Sequence, residues 1–531
     1  MAVSVFDKEK SLYTNYFGYA DKEAGIAVDH DMVIEWGSVT KLLVWVSVMQ
    51  LWEQGQLELN RDIRDYLPEG FLSNLSYDTP VTMENLMNHN AGFQDVYADM
   101  FVKEHAAIGT LETSLKAHEP AQIYEPGEVT AYSNWGVALA GFIVERVSGE
   151  SFDAYVHRHI FEPLLMEHSA LSPDLSDNAY VKEKRKELQC YSIDGVLLPD
   201  CFYYLTIYPA GMCTSTLEDF ETFGKALLDE ASPLFEKRET YEFLFTPTLY
   251  YGDSDIPANC HGLWVEVYGV ESVGHGGNSR GCSSKLLLDL RSGIGAVVMT
   301  NQYGETVYNS KMMELIFGKF SEEQYFDAPR EEPEGVYCIA RTVREGPFKL
   351  ISLYHMFSEL EPGQFWVAAN SGSTEKLCFP YTDCVRVPSR QYIPELTLVF
   401  LWLAVLLFTV VSLLVKLVRS IVRRCKKQDN RIPMGRWSAC AAIVQAVLVP
   451  LLVWMALCAA SYKLSSSYLW GFILVGILTL VMAGLAIYGI AALRKTDCSK
   501  KRRFYNLITV LSLAVTVVNI LYWNLFMFWY I

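Results

Sequence analysis

Residues 36–51 read WGSVTKLLVWVSVMQL, an apolar stretch that opens on a serine and a lysine three positions apart. The apolar run predicts a buried helix that begins near Ser38. Because residues i and i+3 share one face of a helix, we expect the Lys41 amine beside the Ser38 hydroxyl. A serine needs a neighbouring base to act as a nucleophile, and burial lowers the pKa of a lysine toward that role. The alternative is a serine that caps the helix and a solvated lysine in its first turn.

A second segment reads YSN at 132–134 and lies between a Glu-Pro-Gly turn signal and another apolar run. This context predicts a loop that enters a buried helix, where catalytic groups are often placed. A phenol beside an ammonium group ionises more easily, so Tyr132 is a candidate general base. Asn134 is a candidate for hydrogen bonds to Lys41 and to a substrate carbonyl. The alternative is a core tyrosine followed by an asparagine that caps the helix.

A third segment reads VGHGGNSRG and precedes two apolar stretches joined by an Arg-Ser-Gly turn. This pattern predicts an antiparallel hairpin. Glycines on an edge strand let the backbone of a ligand approach closely, which makes His275, Gly276 and Gly277 candidate substrate-binding residues. The backbone N–H of Asn278 is a candidate to complete an oxyanion hole with that of Ser38. A flexible glycine loop is the alternative.

The three segments together resemble the serine β-lactamase and penicillin-binding-protein superfamily, most closely its class C β-lactamase-related branch. The resemblance extends over residues 1–320 and includes TMENLMNHNAG at 82–92 and PAGM at 209–212. It implies an α+β fold of the β-lactamase/DD-peptidase type, in which an antiparallel sheet is flanked by helices and joined to an all-α subdomain.

The resemblance also implies roles for the candidate residues. Ser38 would carry the acyl group, and Lys41 and Tyr132 would share general-base and general-acid duty. Asn134 would orient the substrate, and HGG at 275–277 stands where β-lactamases have KTG. Since the pKa of an unperturbed histidine is about 6.5, this difference favours peptidase or esterase members over a dedicated lactamase. No cofactor is expected, and the sequence has no HExxH or paired CxxC pattern that would predict a metal site.

Four apolar runs near the C-terminus are long enough to cross a bilayer of about 30 Å at roughly 20 residues each. They cover approximately residues 396–418, 438–460, 468–493 and 505–530. Buried core helices are the alternative, but four nearly uncharged runs would need a much larger protein around them. We therefore expect a hydrolase domain at 1–320, a small β-rich connecting module at 321–392 and a four-helix membrane domain at 393–531.

Charge is divided unevenly along the chain. From Tyr392 onward there are 15 Lys and Arg against 3 Asp and Glu, a net charge of +12. Because the whole chain has a net charge of −17, the preceding residues carry −29. Such an acidic domain is not expected to bind nucleic acid. Basic residues cluster at 419–436 and 494–503, whereas the loop after the second run holds only Lys463. By the positive-inside rule the two basic loops face the cytoplasm, so we expect a multi-pass protein of the cell membrane with its hydrolase domain outside.

The first 15 residues contain no apolar run that would serve as an export signal, and residues 2–6 are typical of a first core strand. We expect either that an upstream segment was lost by choice of start codon or that the first C-terminal span inserts by itself and carries the domain across. The twelve cysteines predict no disulfide framework; Cys378 and Cys384 are equally compatible with a pair and with free thiols.

These observations predict a membrane-anchored serine hydrolase that acts through an acyl-enzyme on D-amino-acid-containing or cell-wall-type peptides, or on small esters. A prodrug-activating D-amino-acid peptidase is a narrower alternative. A catalytically inactive binding or sensor protein is the alternative from another class. A transporter is disfavoured because the apolar runs hold almost no ionisable residues. The expected partners are a small-molecule or peptide substrate and the lipid bilayer, and the oligomeric state stays open.

Overall fold

The computed structural model describes residues 1–105, 108–326, 330, 333–360, 365–372, 374–426, 435–495 and 499–528. Parts of both basic loops and the end of the predicted fourth span lie outside these ranges. By its internal contacts the chain forms two compact units, Met1–Thr342 with Phe357–Arg386 and Val343–Met356 with Val387–Ile531. The three-domain division with boundaries near 320 and 392 stays a prediction.

The strands are short. In chain order they are β1 (Ala2–Phe6), β2 (Ser11–Tyr16), β3 (Tyr19–Asp21), β4 (Ile26–Ala27), β5 (Ile34–Glu35), β6 (Phe101–Val102), β7 (Ser169–Ala170), β8 (Cys190–Tyr191), β9 (Leu197–Leu198), β10 (Tyr204–Leu205), β11 (Thr214–Ser215), β12 (Leu249–Tyr250), β13 (Pro257–Cys260), β14 (Leu263–Val267), β15 (Glu271–Asn278), β16 (Ser283–Asp289), β17 (Ile294–Thr300), β18 (Val336–Ile339), β19 (Met356–Phe357), β20 (Val367–Ser371), β21 (Thr374–Cys378) and β22 (Asp383–Val387).

The helices fall into a short-helix group and a long-helix group. In chain order they are α1 (Lys41–Glu53), α2 (Met83–Met87), α3 (Leu111–Ala117), α4 (Asn134–Ser148), α5 (Phe152–Val156), α6 (Ala179–Lys184), α7 (Leu217–Leu228), α8 (Arg238–Leu244), α9 (Val307–Phe317), α10 (Ile351–Tyr354), α11 (Ser389–Cys425), α12 (Gly435–Ala460), α13 (Ser465–Lys495) and α14 (Lys500–Tyr522).

The main sheet of the first unit is antiparallel, with strand order β12-β13-β14-β15-β16-β17-β1-β2. Its central strands β16 and β17 are buried on both faces, as expected of a sheet covered by helices. Helix α7 packs across β1 and β17, and α1 and α4 lie in the main hydrophobic cluster beside it. The α+β prediction and the predicted hairpin of β16 and β17 are confirmed.

Strand β15 differs from its prediction as an edge strand. Its first half, Glu271–Gly274, pairs with β14, and Val273 and Gly274 pair with β16 as well, so this half is not an edge. From His275 to Asn278 the strand pairs only with β16, and its other side is open to groups outside the sheet. The edge prediction therefore holds only for the half that carries the candidate residues.

A smaller sheet also belongs to the first unit. It contains β18, β22, β21 and β20 in that order. This part of the sequence therefore contributes short strands. The sheet is attached to the loop before α4, because the Asp383 N–H donates to the Thr130 carbonyl at 2.8 Å and the Thr130 N–H donates to the Asp383 carboxylate at 2.9 Å.

The second unit contains the long helices. Within the described ranges, four helices are long and apolar enough to cross a membrane, Ser389–Val422, Arg436–Ala460, Ser465–Arg494 and Lys500–Tyr522. Each contains the greater part of one predicted run. Consecutive helices pack side by side, and Leu448, Val475 and Leu513 are fully buried among them.

The cysteines of the first unit include one pair that the sequence did not predict. Cys190 on β8 and Cys201 form a disulfide, with their Cα atoms 6.0 Å apart. Cys378 and Cys384 are both buried free thiols, which selects the second of the two alternatives for this pair.

Candidate active site

Ser38 lies in a single 3₁₀ turn, Gly37–Thr40, that leads directly into α1. The turn is pressed against the open half of β15: a Cβ on Gly37 would lie 2.6 Å from the Asn278 nitrogen, and Gly37 has a φ of +53°. Only glycine fits this position. The Ser38 side chain makes no helix-capping hydrogen bond, so the alternative of a capping serine is wrong.

Lys41 is the first residue of α1 and its side chain is fully buried. Its Nζ donates to Ser38 Oγ at 2.9 Å and to the Ala210 carbonyl at 2.5 Å. Burial lowers the pKa of Lys41 well below its ordinary value; the nearby Arg341 lowers the pKa further, and Asp95 opposes this. The alternative of a solvated lysine is wrong, and the amine has the environment of a neutral base.

Tyr132 lies on the loop before α4 and is 7% exposed. Lys41 Nζ lies 5.0 Å from the centre of its ring. Burial raises the pKa of Tyr132; the nearby Ser38 side chain and the charge of Arg341 oppose the rise without cancelling it. The prediction that the phenol ionises more easily is wrong, because desolvation outweighs the neighbouring charge. The hydroxyl, amine and phenol nevertheless converge in one site.

His275 is fully buried on β15, and its Nδ1–H donates to the Gly276 carbonyl at 2.5 Å. Burial lowers the pKa of His275 to about 3, and the charges of Lys41 and Lys285 act in the same direction. The imidazole is therefore neutral at physiological pH. It does not carry the positive charge that a lysine supplies at the corresponding position of β-lactamases.

The remaining predicted residues are placed differently from one another. Asn278 is exposed at the end of β15, and its backbone lies against Gly37. The Gly277 Cα also faces the turn, because a Cβ there would fall 2.0 Å from the Trp36 carbonyl. The side chain of Asn134 donates to Met100 Sδ at 3.6 Å, whereas Lys41 donates to Ser38 and Ala210; the expected bond between Asn134 and Lys41 is not formed.

His89 is a site residue that motif reasoning did not single out. It is buried, its ring stacks on Tyr132 with centroids 4.5 Å apart, and its other face lies 5.5 Å from Trp264. Its Nδ1 accepts the Ser133 N–H at 3.0 Å, which fixes the loop that carries Tyr132. Burial lowers the pKa of His89 well below its ordinary value, so the ring is neutral. The signal was present in the NHNAG segment, which was used only for the resemblance.

Two further groups reach the site from outside its motifs. Arg341, just after β18, donates from Nε to Asp95 at 2.8 Å, and its guanidinium carbon lies 5.1 Å from the centre of the Tyr132 ring. Tyr381 accepts the Gly276 N–H at 3.0 Å on the open side of β15 and donates to Glu266 at 2.6 Å. Arg341 and Tyr381 belong to the stretch that the resemblance does not cover, so no sequence signal identified them.

Among the residues that the structure describes, no group of three or more His, Cys, Asp or Glu side chains is placed to hold a metal ion. The arrangement instead offers a hydroxyl beside a desolvated amine, a neutral phenol and backbone N–H groups. These are the parts that acyl transfer through a serine requires.

Fold and site together define the class of β-lactamase-fold serine hydrolases. The family model described as Beta-lactamase matches residues 1–317, more than half of the chain, and the protein belongs to that family.

Relatives and a solved structure agree with this assignment. PbpX of Bacillus subtilis strain 168 is 27% identical over 233 residues, which cover 44% of this chain and 54% of that protein. Protein flp of Staphylococcus aureus strain MRSA252 is 24% identical over 296 residues, 55% of this chain and 57% of that protein. The chain thus spans about half the length of these relatives. The octameric penicillin-binding protein homologue from Pyrococcus abyssi aligns with a TM-score of 0.50 at 20% identity, over 72% of this chain and 95% of that one, which shows a shared fold.

Proposed function

We propose that the protein is a membrane-anchored serine hydrolase that forms an acyl-enzyme on Ser38. One observation carries the proposal: the fully buried Lys41 amine, whose pKa burial lowers, donates to Ser38 Oγ at 2.9 Å, and the centre of the Tyr132 ring lies 5.0 Å from the same amine. A lysine that only stabilised the fold would be expected to pair with a carboxylate at such a depth.

The first half of the reaction builds the acyl-enzyme. Ser38 Oγ attacks the carbonyl carbon of an amide or ester, and its proton passes to Lys41. The backbone N–H groups of Ser38 and Asn278 hold the negative charge that develops on the carbonyl oxygen. As the carbonyl re-forms, the bond to the leaving nitrogen or oxygen breaks. The proton moves from Lys41 through the Tyr132 hydroxyl to the leaving atom, so proton and charge balance.

The second half releases the acid. Water attacks the acyl carbon, gives one proton to Lys41 and forms a second tetrahedral intermediate in the same oxyanion hole. The bond to Ser38 Oγ then breaks, and the serine recovers its proton. Because the pKa of Tyr132 is raised and that of Lys41 is lowered, Lys41 is the base and Tyr132 the proton relay.

The family and one residue support the substrate class that we propose. Penicillin-binding relatives support D-amino-acid-containing or cell-wall-type peptides, with small esters as the other class. His275 is neutral, so it offers no cation to the carboxylate of a β-lactam, and this supports a peptidase or esterase rather than a dedicated lactamase. Asn134 and the open half of β15 are the proposed substrate-binding surface.

The proposed location is the cell membrane, with the hydrolase domain on the outer face. The four apolar helices support membrane anchoring, and the basic loops support the orientation. The Cys190–Cys201 disulfide is also typical of an oxidising, extracytoplasmic compartment. The partners we propose are the substrate and the bilayer, and no nucleic acid.

The test is covalent labelling of the detergent-purified full chain with a fluorescent fluorophosphonate and a fluorescent penicillin. We expect fluorophosphonate labelling of the wild type, complete loss in Ser38→Ala, and retention in Ser47→Ala. Ser47 is a matched control because it is a buried serine on the same helix whose hydroxyl only donates to the Leu43 carbonyl. Failure of both probes to label a folded wild type would contradict the proposal and support the inactive binding or sensor protein.

A substrate panel then separates the acyl donors. Hydrolysis of a D-Ala-D-Ala peptide, an N-acyl-D-amino acid amide, a nitrophenyl ester and a β-lactam is compared between wild type and Ser38→Ala. Ser38-dependent turnover of the first two identifies a D-peptidase, and turnover of the ester alone identifies an esterase. A β-lactam turned over faster than all the others would contradict the substrate assignment.

A further inference from the structure

The stretch from residue 333 to 387 brings a cation to the edge of the site. Arg341 follows β18, and its side chain is 34% exposed, whereas that of its partner Asp95 is 6% exposed. The guanidinium carbon lies 5.1 Å from the centre of the Tyr132 ring, and the Nε–H donates to Asp95 at 2.8 Å. The planar group is thus held by one carboxylate and covers the aromatic ring, a geometry that arginine adopts readily.

Backbone hydrogen bonds fix this position from both sides. The Asp95 N–H donates to the Thr342 carbonyl at 3.1 Å, which joins the loop of Asp95 to the chain just after Arg341. Thr130, two residues before Tyr132, is bonded to Asp383 of β22 through both its N–H and its carbonyl. The small sheet therefore holds the arginine and the tyrosine loop together, in a way that a surface salt bridge alone would not.

We infer that Arg341 is a positioning residue of the active site, a cation that the small sheet places over the Tyr132 ring to keep the Lys41 amine in its proton-free form. The inference rests on the proposed function, since it assigns Arg341 a part in the same proton transfer. It also makes the small sheet a working part of the enzyme rather than a spacer.

The charge of Arg341 acts on both neighbouring groups in a definite direction. A cation disfavours a second positive charge nearby and favours a negative one, so Arg341 lowers the pKa of both Lys41 and Tyr132. Asp95 acts in the opposite direction on both groups, and its effect on each is smaller than that of Arg341. The titratable and charged groups that face Lys41, Tyr132 and Arg341 are Asp95, Tyr97, His89, His275 and Tyr381, with Glu266 behind Tyr381. His89 and His275 are neutral. Arg341 and Asp95 are therefore the charged groups whose removal is expected to change the pKa of Lys41.

The test measures the second-order rate of fluorophosphonate labelling against pH in the full chain. Labelling requires the proton-free amine, so the rate falls on the acid side with the pKa of Lys41. Arg341→Gln removes the cation, and we expect the acid limb to move upward by about one pH unit or more, so that labelling at a fixed pH on this limb falls about tenfold. Arg341→Lys restores the charge and moves the limb back toward that of the wild type.

Asp95→Asn is the decisive companion variant. It removes the opposing carboxylate and leaves the cation, so we expect the acid limb to move downward in pH. If the salt bridge has only a structural role, both variants should lower the labelling rate at every pH, and the pH at which the acid limb falls should not change. The Asp95 variant also keeps the inference open to contradiction if Arg341→Gln fails to fold.

Arg386→Gln is the matched control. Arg386 lies on the same sheet, is paired with Glu375 at 2.6 Å and is exposed, so its loss is expected to leave the pH profile unchanged. An acid limb that is identical in wild type, Arg341→Gln and Arg386→Gln would overturn the inference. Absence of Ser38-dependent labelling in the wild type would overturn the proposed function instead, so the two failures are distinct.

Discussion

Both compact units bury polar side chains, but they satisfy them in different ways. In the first unit the fully buried Lys41 amine donates to a hydroxyl and a backbone carbonyl instead of a carboxylate. In the second unit the buried Gln445 of α12 accepts from Thr409 of α11 at 3.2 Å and donates to Thr516 of α14 at 3.0 Å. The first arrangement leaves an ionisable group poised for proton transfer, and the second is a neutral network in which each partner is satisfied.

The contrast separates chemistry from assembly. A buried amine with a lowered pKa costs stability and is expected where a reaction needs it. A neutral hydrogen-bond network among apolar helices holds them together in a bilayer, where water cannot compete for the same groups. The chemistry that we propose therefore lies in the first unit, and the Gln445 network of the second unit is accounted for by helix association.

The largest expected effect tests the first half of this contrast. Replacing Lys41 with Met keeps the length of the side chain and removes the base, so we expect Ser38-dependent turnover and labelling to fall about 10²- to 10⁴-fold. Because the variant removes a buried polar group, we expect its melting temperature to be at least that of the wild type. Labelling rates and thermal unfolding measure the two outcomes.

Lys285 is the matched contrast for that variant. It is also buried, but it forms an ion pair with Glu266 at 2.5 Å, so Lys285→Met leaves a buried carboxylate without its cation. We expect a loss of about 3–5 kcal/mol in the free energy of unfolding. Two results would contradict the distinction between the catalytic and the structural lysine. One is an active Lys41→Met enzyme, and the other is a Lys41→Met enzyme that is as destabilised as Lys285→Met.

How far the sequence predicts the site depends on the distance over which each contact acts. The spacing of Ser38 and Lys41 placed the hydroxyl and the amine together, because three positions along a helical turn leave little freedom. The segments around Tyr132 and His275 were recognised by resemblance, and the structure brings them to the same place. The α+β fold was predicted from the same resemblance, and the four apolar helices were predictable from local pattern.

What the sequence could not predict depends on burial and on distant chain segments. The pKa of Tyr132 moves opposite to the expected direction, because the depth of a side chain is a property of the packed core and not of its neighbours in sequence. Arg341 reaches Asp95 across 246 positions and the Cys190–Cys201 disulfide follows no spacing pattern, so neither left a signal. The segment around His89 indicated the family, but it did not predict that His89 contacts Tyr132.

A smaller effect concerns the neutral histidine. Burial lowers the pKa of His275 to about 3 in the folded chain, against about 6.5 when unfolded, so the unfolded state binds the extra proton between these values. Stability is therefore expected to fall as the pH falls below 6.5, by up to about 1.4 kcal/mol per pH unit from this group. In His275→Gln this part of the loss disappears. Denaturant unfolding at several pH values between 7 and 5 measures the difference.

Two observations check the origin of that difference. His30 is a suitable control because its side chain is 75% exposed, and His30→Gln is expected to follow the wild type at every pH. His89 is buried and neutral as well, so wild type and His275→Gln both retain its contribution and only their difference is informative. Equal pH dependence of the wild type and His275→Gln would mean that the pKa of His275 is the same in the folded and the unfolded protein, and the argument against a dedicated lactamase would lose its basis.

The smallest expected effect tests the second half of the contrast. Gln445→Leu removes the hydrogen bonds to Thr409 and Thr516, and we expect the helices in detergent to lose about 0.6–2 kcal/mol of stability. Thr479→Val is the matched control, because the Thr479 hydroxyl donates at 2.7 Å to the Val475 carbonyl of its own helix and joins no neighbour. Unfolding in mixed detergent micelles measures both. If Gln445→Leu were as stable as Thr479→Val, the network would not hold the helices together, and the polar residues of the second unit would need an explanation other than assembly.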